Sequence, residues 1–152
     1  VYKRQRQRYS KGFAMTKKIF VFGSNTGGIH GAGAARHAYD NEGAVWGQGF
    51  GHYGNSYAIP TKGVFKTGGR LAVGNTLPMA KIEGYVKAFL KYANDNPEMS
   101  FKVSRIGCGL AGLYDADVAP LFKDAPDNCH FDTLWKPIFD GLEYDASYWG
   151  TF

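Results

Sequence analysis

The sequence predicts an α/β fold, a sheet with helices packed on its faces, and three stretches carry that expectation. Ile19–Phe22 is an apolar run that opens through a cluster of glycines into a segment of helical spacing. Met79–Asn94 carries an apolar stripe of helical period, Ile82, Val86, Phe89, Leu90 and Ala93, with Lys81, Glu83, Lys87 and Lys91 off it. Phe101–Ile106 alternates apolar and polar residues and runs into a second glycine cluster, Gly107–Gly112. Strands that alternate with helices form sheets covered by helices. Ligands of such folds bind beyond the carboxyl ends of the strands, so two glycine loops leaving two strands are expected to face one crevice.

Ile19–Phe22 is too short for a helix and fits a buried strand. Gly23, Gly27, Gly28, Gly31 and Gly33 follow, and Ala34, Ala35, Ala38 and Tyr39 then resume at helical spacing. Strand, glycine loop and helix together leave unpaired backbone N–H groups at a helix N-terminus, where an anion can bind. The loop is not a P-loop, because Ile29 and His30 stand where Lys and Ser/Thr belong. It is not a dinucleotide fingerprint either, since Gly31-Ala32-Gly33 runs on into Ala34, Ala35 and Arg36. The competing reading is a tight turn that binds nothing.

The rest of the chain reads in order. Asn41-Glu42-Gly43 supplies C-cap chemistry. Residues 43–56 interleave glycines with Trp46, Phe50, His52 and Tyr53, either a wall that stacks on a base or ribose, or aromatics folded back onto the core. Ser56–Pro60 reads as a strand closed by Pro60 and Thr61–Asn75 as a glycine-rich loop. The stripe after Met79 stops at Asn94-Asp95-Asn96-Pro97. Beyond the second glycine loop, Asp117 is expected to cap a short helix through Val118, Ala119, Leu121 and Phe122, which keeps Pro120 in the first turn. Trp135–Leu142 is a closing helix or irregular packing, and Asp140–Phe152 has no period that assigns it.

A chain of 152 residues is expected to form one domain, here residues 15–152. The 21 glycines cluster between apolar runs, which indicates loops on a packed scaffold rather than low complexity. No apolar run approaches the ~20 residues of a membrane span. Two cysteines, Cys108 and Cys129, make no disulfide framework, so a reduced, cytoplasmic setting is expected. The formal charge of +5 sits entirely in Lys3, Arg4, Arg6, Arg8 and Lys11, and the remaining 13 basic and 13 acidic residues balance. Met15-Thr-Lys-Lys has the form of a start placed directly before the first strand. Residues 1–14 are therefore expected to be a non-native or disordered basic leader.

The two loops together resemble a family. FVFGSN and GIHGAGAARHA are similar to the first ligand loop and following helix of macro domains, and VSRIGCGLAG to their second, phosphate-binding loop. The strongest likeness is to an uncharacterised, phage-associated macro-domain-like family, which shares the run from GSN through SYAIPTK to IGCGLAG followed by AP-x-F. It covers about Lys17 to Phe122. The resemblance implies a three-layer α/β/α sandwich with a mixed central sheet, and ADP-ribose or a related NAD-derived nucleotide as ligand. By position, Asn25 would hold the distal ribose, and backbone N–H groups of Gly31–Gly33 and Gly107–Gly112 the diphosphate. The binding residues so expected are Gly23, Ser24, Asn25, Gly28, Ile29, Gly31, Ala32 and Gly33 in the first loop. In the second they are Gly107, Cys108, Gly109, Leu110, Ala111 and Gly112. The acidic residue with which macro domains read adenine has no counterpart, so the resemblance leaves the base open.

Macro-type hydrolases position a water near the anomeric carbon. In this chain Asn25 would orient the ribose hydroxyls and His30 would act as acid or base. The competing role for His30 is a loop histidine bonded to backbone. Cys108 either gains a lowered pKa from a helix-proximal position or is a small buried residue. Cys129-His130 lacks spaced partners for a metal, and neither metal nor cofactor is expected. Two functions fit these loops: hydrolysis of an ADP-ribosyl linkage, or non-catalytic sequestration of a nucleotide signal by a phage protein. Nucleic-acid binding rests on the basic leader alone, and no membrane partner is expected.

Overall fold

The computed structural model describes residues 18–152, so the expectation about residues 1–14 lies outside the described residues. β1 (Ile19–Asn25) is buried along nearly its whole length, as a strand flanked on both sides and covered on both faces must be. It runs parallel to β3 (Ser56–Thr67) on one side and to β5 (Phe101–Val103) on the other. β6 (Cys129–Asp132) and β7 (Ser147–Gly150) extend the parallel part, while β2 (Gly51–Tyr53) and β4 (Arg70–Thr76) pair antiparallel to β3. The described residues thus form one seven-stranded mixed sheet, ordered β2–β3–β1–β5–β6–β7 with β4 paired to β3 off that path.

Alternation along β1 creates two cores. Phe20 and Phe22 pack with Ala58 under α1 (Gly33–Asn41), which buries Ala35 and Ala38 against them. Ile19 and Val21 point to the other face, with Tyr57, Ile59, Phe101, Val103 and Phe131. That face is covered by α2 (Met79–Asp95), which buries Ile82, Val86, Phe89 and Ala93. Val118 of α3 (Asp115–Val118) and Phe139 of α4 (Lys136–Gly141) complete the same layer. The fold is α/β, with a mixed sheet between two helical layers.

Several elements differ from the sequence reading. Pro60 does not close β3, and the stretch read as a loop is the outer half of a hairpin with β4, turned at Gly68 (φ 55°) and Gly69 (φ 76°). Pro60 lies between Ala58, the last partner of β2, and Lys62, the first partner of β4, so its missing N–H breaks no antiparallel ladder there. β5 stops at Val103 rather than Ile106, because Ser104 turns back and donates its hydroxyl to the Val21 carbonyl at 2.6 Å. α3 is preceded by Tyr114 rather than capped by Asp117, and Pro120 turns its continuation into a 3-10 turn, Ala119–Phe122. The unassigned C-terminal stretch contributes β6, a 3-10 turn at Thr133–Trp135, α4 and β7. No helix among the described residues is long and apolar enough to cross a membrane.

Candidate functional site

β1 and β5 are parallel neighbours, so their carboxyl ends open at the same edge of the sheet. The glycine loops that leave them pack together at their bases, where a Cβ on Gly23 would lie 3.0 Å from the Gly107 nitrogen. They meet again further out, where a Cβ on Gly33 would come within 3.3 Å of Leu110. Between these two contacts lies a cavity of about 430 Å³. That volume falls within the range of small-molecule sites, roughly 300–1,000 Å³. Gly23, Ser24, Asn25, Ile29, Gly31, Ala32 and Gly33 line it from the first loop, and Gly107, Cys108, Gly109, Leu110 and Ala111 from the second.

The first loop is held in shape by Asn25. Its side-chain Nδ2 donates to the Ile29 carbonyl and its Oδ1 accepts from the Ile29 N–H, both at 2.9 Å, so one buried amide closes the turn. Gly28 does not line the cavity. It adopts φ 66° and packs on the backbone of Gly47 and Gln48, where any side chain would collide. α1 then starts without a side-chain cap: Ala32 is the N-cap residue, and no acidic residue occupies the first turn. Among the described residues, the backbone N–H groups of Gly31, Ala32, Gly33 and Ala34 have no protein acceptor.

The second loop shares that property. Its internal bonds run from Cys108 N–H to the Arg105 carbonyl, from Gly112 N–H to Gly109 and from Leu113 N–H to Gly107. The N–H groups of Gly109, Leu110 and Ala111 are left without an acceptor among the described residues. Gly107 is left-handed (φ 72°), and a Cβ there would have to push the end of the Leu113 side chain aside, whereas a Cβ on Gly109 would meet nothing within 4 Å. Gly112 (φ 73°) uses the left-handed conformation to end the loop and does not line the cavity. The Thr76 hydroxyl of β4 donates to the Ala111 carbonyl at 2.7 Å and fixes this loop to the hairpin.

For His30 and Cys108 the structure favours the structural alternative over the chemical one. His30 is fully buried and does not line the cavity. Its Nε2 lies 3.0 Å from the Val45 carbonyl and 3.2 Å from that of Gln48, and therefore donates to them. Burial lowers its pKa, so it is a neutral structural histidine that ties residues 45–48 to the first loop and cannot reach a substrate. Burial, assisted by the nearby Asp115 carboxylate, pushes the Cys108 thiol up to about 12, so it is neither thiolate nor nucleophile near neutral pH. The aromatics of residues 43–56 also stay out of the cavity lining. Trp46 packs edge-on against His30 and Tyr39, Phe50 contacts Tyr57 and Tyr85, and His52 packs on Tyr92.

Sequence reasoning missed several lining residues: Thr61 and Lys62 from β3, Val73 from β4, Ser104 and Arg105 before the second loop, Asp132 at the end of β6, and Phe152. Arg105 is paired with Asp115 at 3.1 Å, and Asp115 also accepts from Trp135 Nε1 at 2.7 Å. Burial works to raise the Asp115 pKa, but these hydrogen bonds and the Arg105 charge outweigh it and hold the carboxyl below its usual range. Asp132 accepts from Leu134 N–H, from the Thr151 hydroxyl and from Phe152 N–H, which brings Phe152 to the cavity. Ser104 lies three residues before the legible loop, whereas Asp132 and Phe152 arrive only through sheet order. No group of three or more His, Cys, Asp or Glu among the described residues is placed to hold a metal.

No family model matches the chain, and no curated protein matches it. Among solved structures, a protein of unknown function from Bacteroides thetaiotaomicron is similar over 93% of each chain, at 16% identity and a TM-score of 0.44. A likeness at that level carries no argument about activity.

Proposed function

We propose that the cavity binds a phosphate-bearing nucleotide, ADP-ribose or a related NAD-derived nucleotide, with its diphosphate between the start of α1 and the second loop. One observation carries the reading: N–H groups from Gly31–Ala34 and from Gly109–Ala111, without an acceptor among the described residues, belong to residues that line the same cavity. Backbone donors at a helix start and in a glycine loop suit a diphosphate, whose charge strengthens each hydrogen bond. The resemblance of both loops to macro-domain ligand loops supports the same ligand class.

The cavity chemistry favours binding over turnover. His30 is buried away from the lining, the Cys108 thiol is protonated, and the Asp132 carboxylate is engaged by three donors. Hydrolysis would therefore depend on a water held by the ligand's own phosphate and by neutral groups, so sequestration of the nucleotide is the proposed role. Titration calorimetry with ADP-ribose, NAD and AMP, with product analysis of each mixture, tests this. ADP-ribose should bind at micromolar Kd, about −8 kcal/mol, without Mg²⁺ and without being consumed. If no diphosphate nucleotide shifts the melting temperature at millimolar concentration, the proposal is wrong.

A further inference from the structure

Lys62 lines the cavity, yet its ammonium has no ion pair or hydrogen bond among the described residues. The other two charged lining residues are engaged, one by a counter-charge and one by neutral donors. Arg105 is paired with Asp115, and Asp132 is surrounded by donors from Leu134, Thr151 and Phe152. Lys62 is therefore the one cationic lining residue without a partner among the described residues, in a wall whose only other unpaired full charge is the hydrogen-bonded Asp132 carboxylate.

The position of that charge is built into the sheet. Lys62 pairs with Asn25 of β1 on one side and with Thr76 of β4 on the other. The register shifts on both sides of it, between Ser24 and Asn25 in β1 and between Lys62 and Val64 in β3. Such irregularities re-aim side chains beside binding sites. Its backbone carbonyl accepts from Thr26 N–H at 3.0 Å in the first loop, and its neighbour Thr76 holds Ala111 of the second. A half-buried lysine thus stands where both loops are anchored to one strand.

We propose that Lys62 is a specificity-determining residue that supplies the full positive charge for the ligand's anionic group, selecting phosphorylated ligands over uncharged nucleosides. This rests on the nucleotide reading for the identity of the ligand, but not for the presence of an anion. Backbone N–H groups supply only partial charges, which a dipolar neutral ligand can also satisfy. An ammonium at the shared wall separates the two, because its attraction for phosphate has no equivalent in a nucleoside.

The test titrates ADP-ribose, inorganic pyrophosphate and adenosine into the wild-type protein, Lys62→Met and Lys62→Arg, at low and high salt. Thermal melts check that each variant folds. Lys62→Met should lose at least tenfold in affinity for ADP-ribose and pyrophosphate and show a flatter salt dependence, since the screened pair is gone. Lys62→Arg should stay within a few-fold of wild type. In the wild-type chain, which needs no variant to fold, pyrophosphate should protect Lys62 from acetylation while Lys66 on the exposed hairpin stays reactive. Unchanged affinity and salt dependence in Lys62→Met, or acetylation of Lys62 unaffected by bound pyrophosphate, overturns the proposal. If pyrophosphate binds through Lys62 but ADP-ribose does not bind, the nucleotide reading fails and this one stands. If neither binds the wild-type protein, both fail.

Discussion

The imidazole of His30 is held by two carbonyls, those of Val45 and Gln48, which fixes the proton on Nε2. Its Nδ1 is left facing the Ser24 hydroxyl at 3.4 Å, in a site with no exposure. Protonating Nδ1 would put a charge into that pocket, and burial accordingly lowers the pKa. The sign of the stability effect follows. Below about pH 6.5 the unfolded chain takes up a proton that the folded one refuses, so stability falls with pH by at most about 1.4 kcal/mol per unit. The effect is absent above that range and stops growing once pH falls through the folded pKa. Melts from pH 7.5 to 5 should show the wild type losing stability faster below pH 6.5 than His30→Gln, which begins lower but lacks this proton. The other histidines are common to both proteins and cancel. Parallel pH profiles would mean that His30 titrates freely.

At the scale of elements, the two glycine loops divide their glycines between folding and binding. Gly107 stands at φ 72°, a left-handed conformation that strains any β-branched residue, so Gly107→Val should lower the melting temperature. Gly109 has open space around it, and Gly109→Val should melt close to wild type. The same valine would cover the free N–H groups of Gly109–Ala111, and affinity for ADP-ribose should fall by roughly 2–4 kcal/mol, one or two charge-assisted hydrogen bonds. Calorimetry and melts on the pair decide it. A Gly109→Val protein that melts far lower while its folded fraction binds normally would make the loop a structural turn. The loops were legible in the sequence because each is a local pattern of strand, glycines and helix. The β3–β4 hairpin was not, since Pro60, Gly63, Gly68, Gly69 and Gly74 imitate a loop and only the pairing of β4 makes the segment a strand. β6 was hidden for another reason: Cys129–Asp132 alternates, but four residues between turns are too short a run to stand out, and its polar His130 and Asp132 are buried only because the sheet covers them.

At the scale of the molecule, the site is a product of topology. β1 and β5 are far apart in sequence but adjacent in the sheet, and β3 reaches past both to carry Lys62 and the hairpin. Lys62, Asp132 and Phe152 were unreadable as site residues because nothing local marks them; strand order alone brings them to the cavity. A cavity shared this way makes a prediction that no single loop can satisfy. If one ligand bridges both loops, the amides of Gly31–Ala34 and of Gly109–Ala111 should gain hydrogen-exchange protection together on adding ADP-ribose. Amides that exchange only by global unfolding, such as those of β1 and α2, should also slow. At a ligand concentration of 100 Kd the stabilisation is about 2.7 kcal/mol, a slowing of roughly 100-fold shared by both faces of the sheet. Amides on the outer half of the β3–β4 hairpin, beyond the cavity, should exchange as before, because they open without unfolding the rest. Exchange read by mass spectrometry with and without ligand separates the possibilities. Protection confined to the first loop would leave the second as scaffold, and protection of the hairpin tip at Gly68–Gly69 would place the ligand outside the cavity.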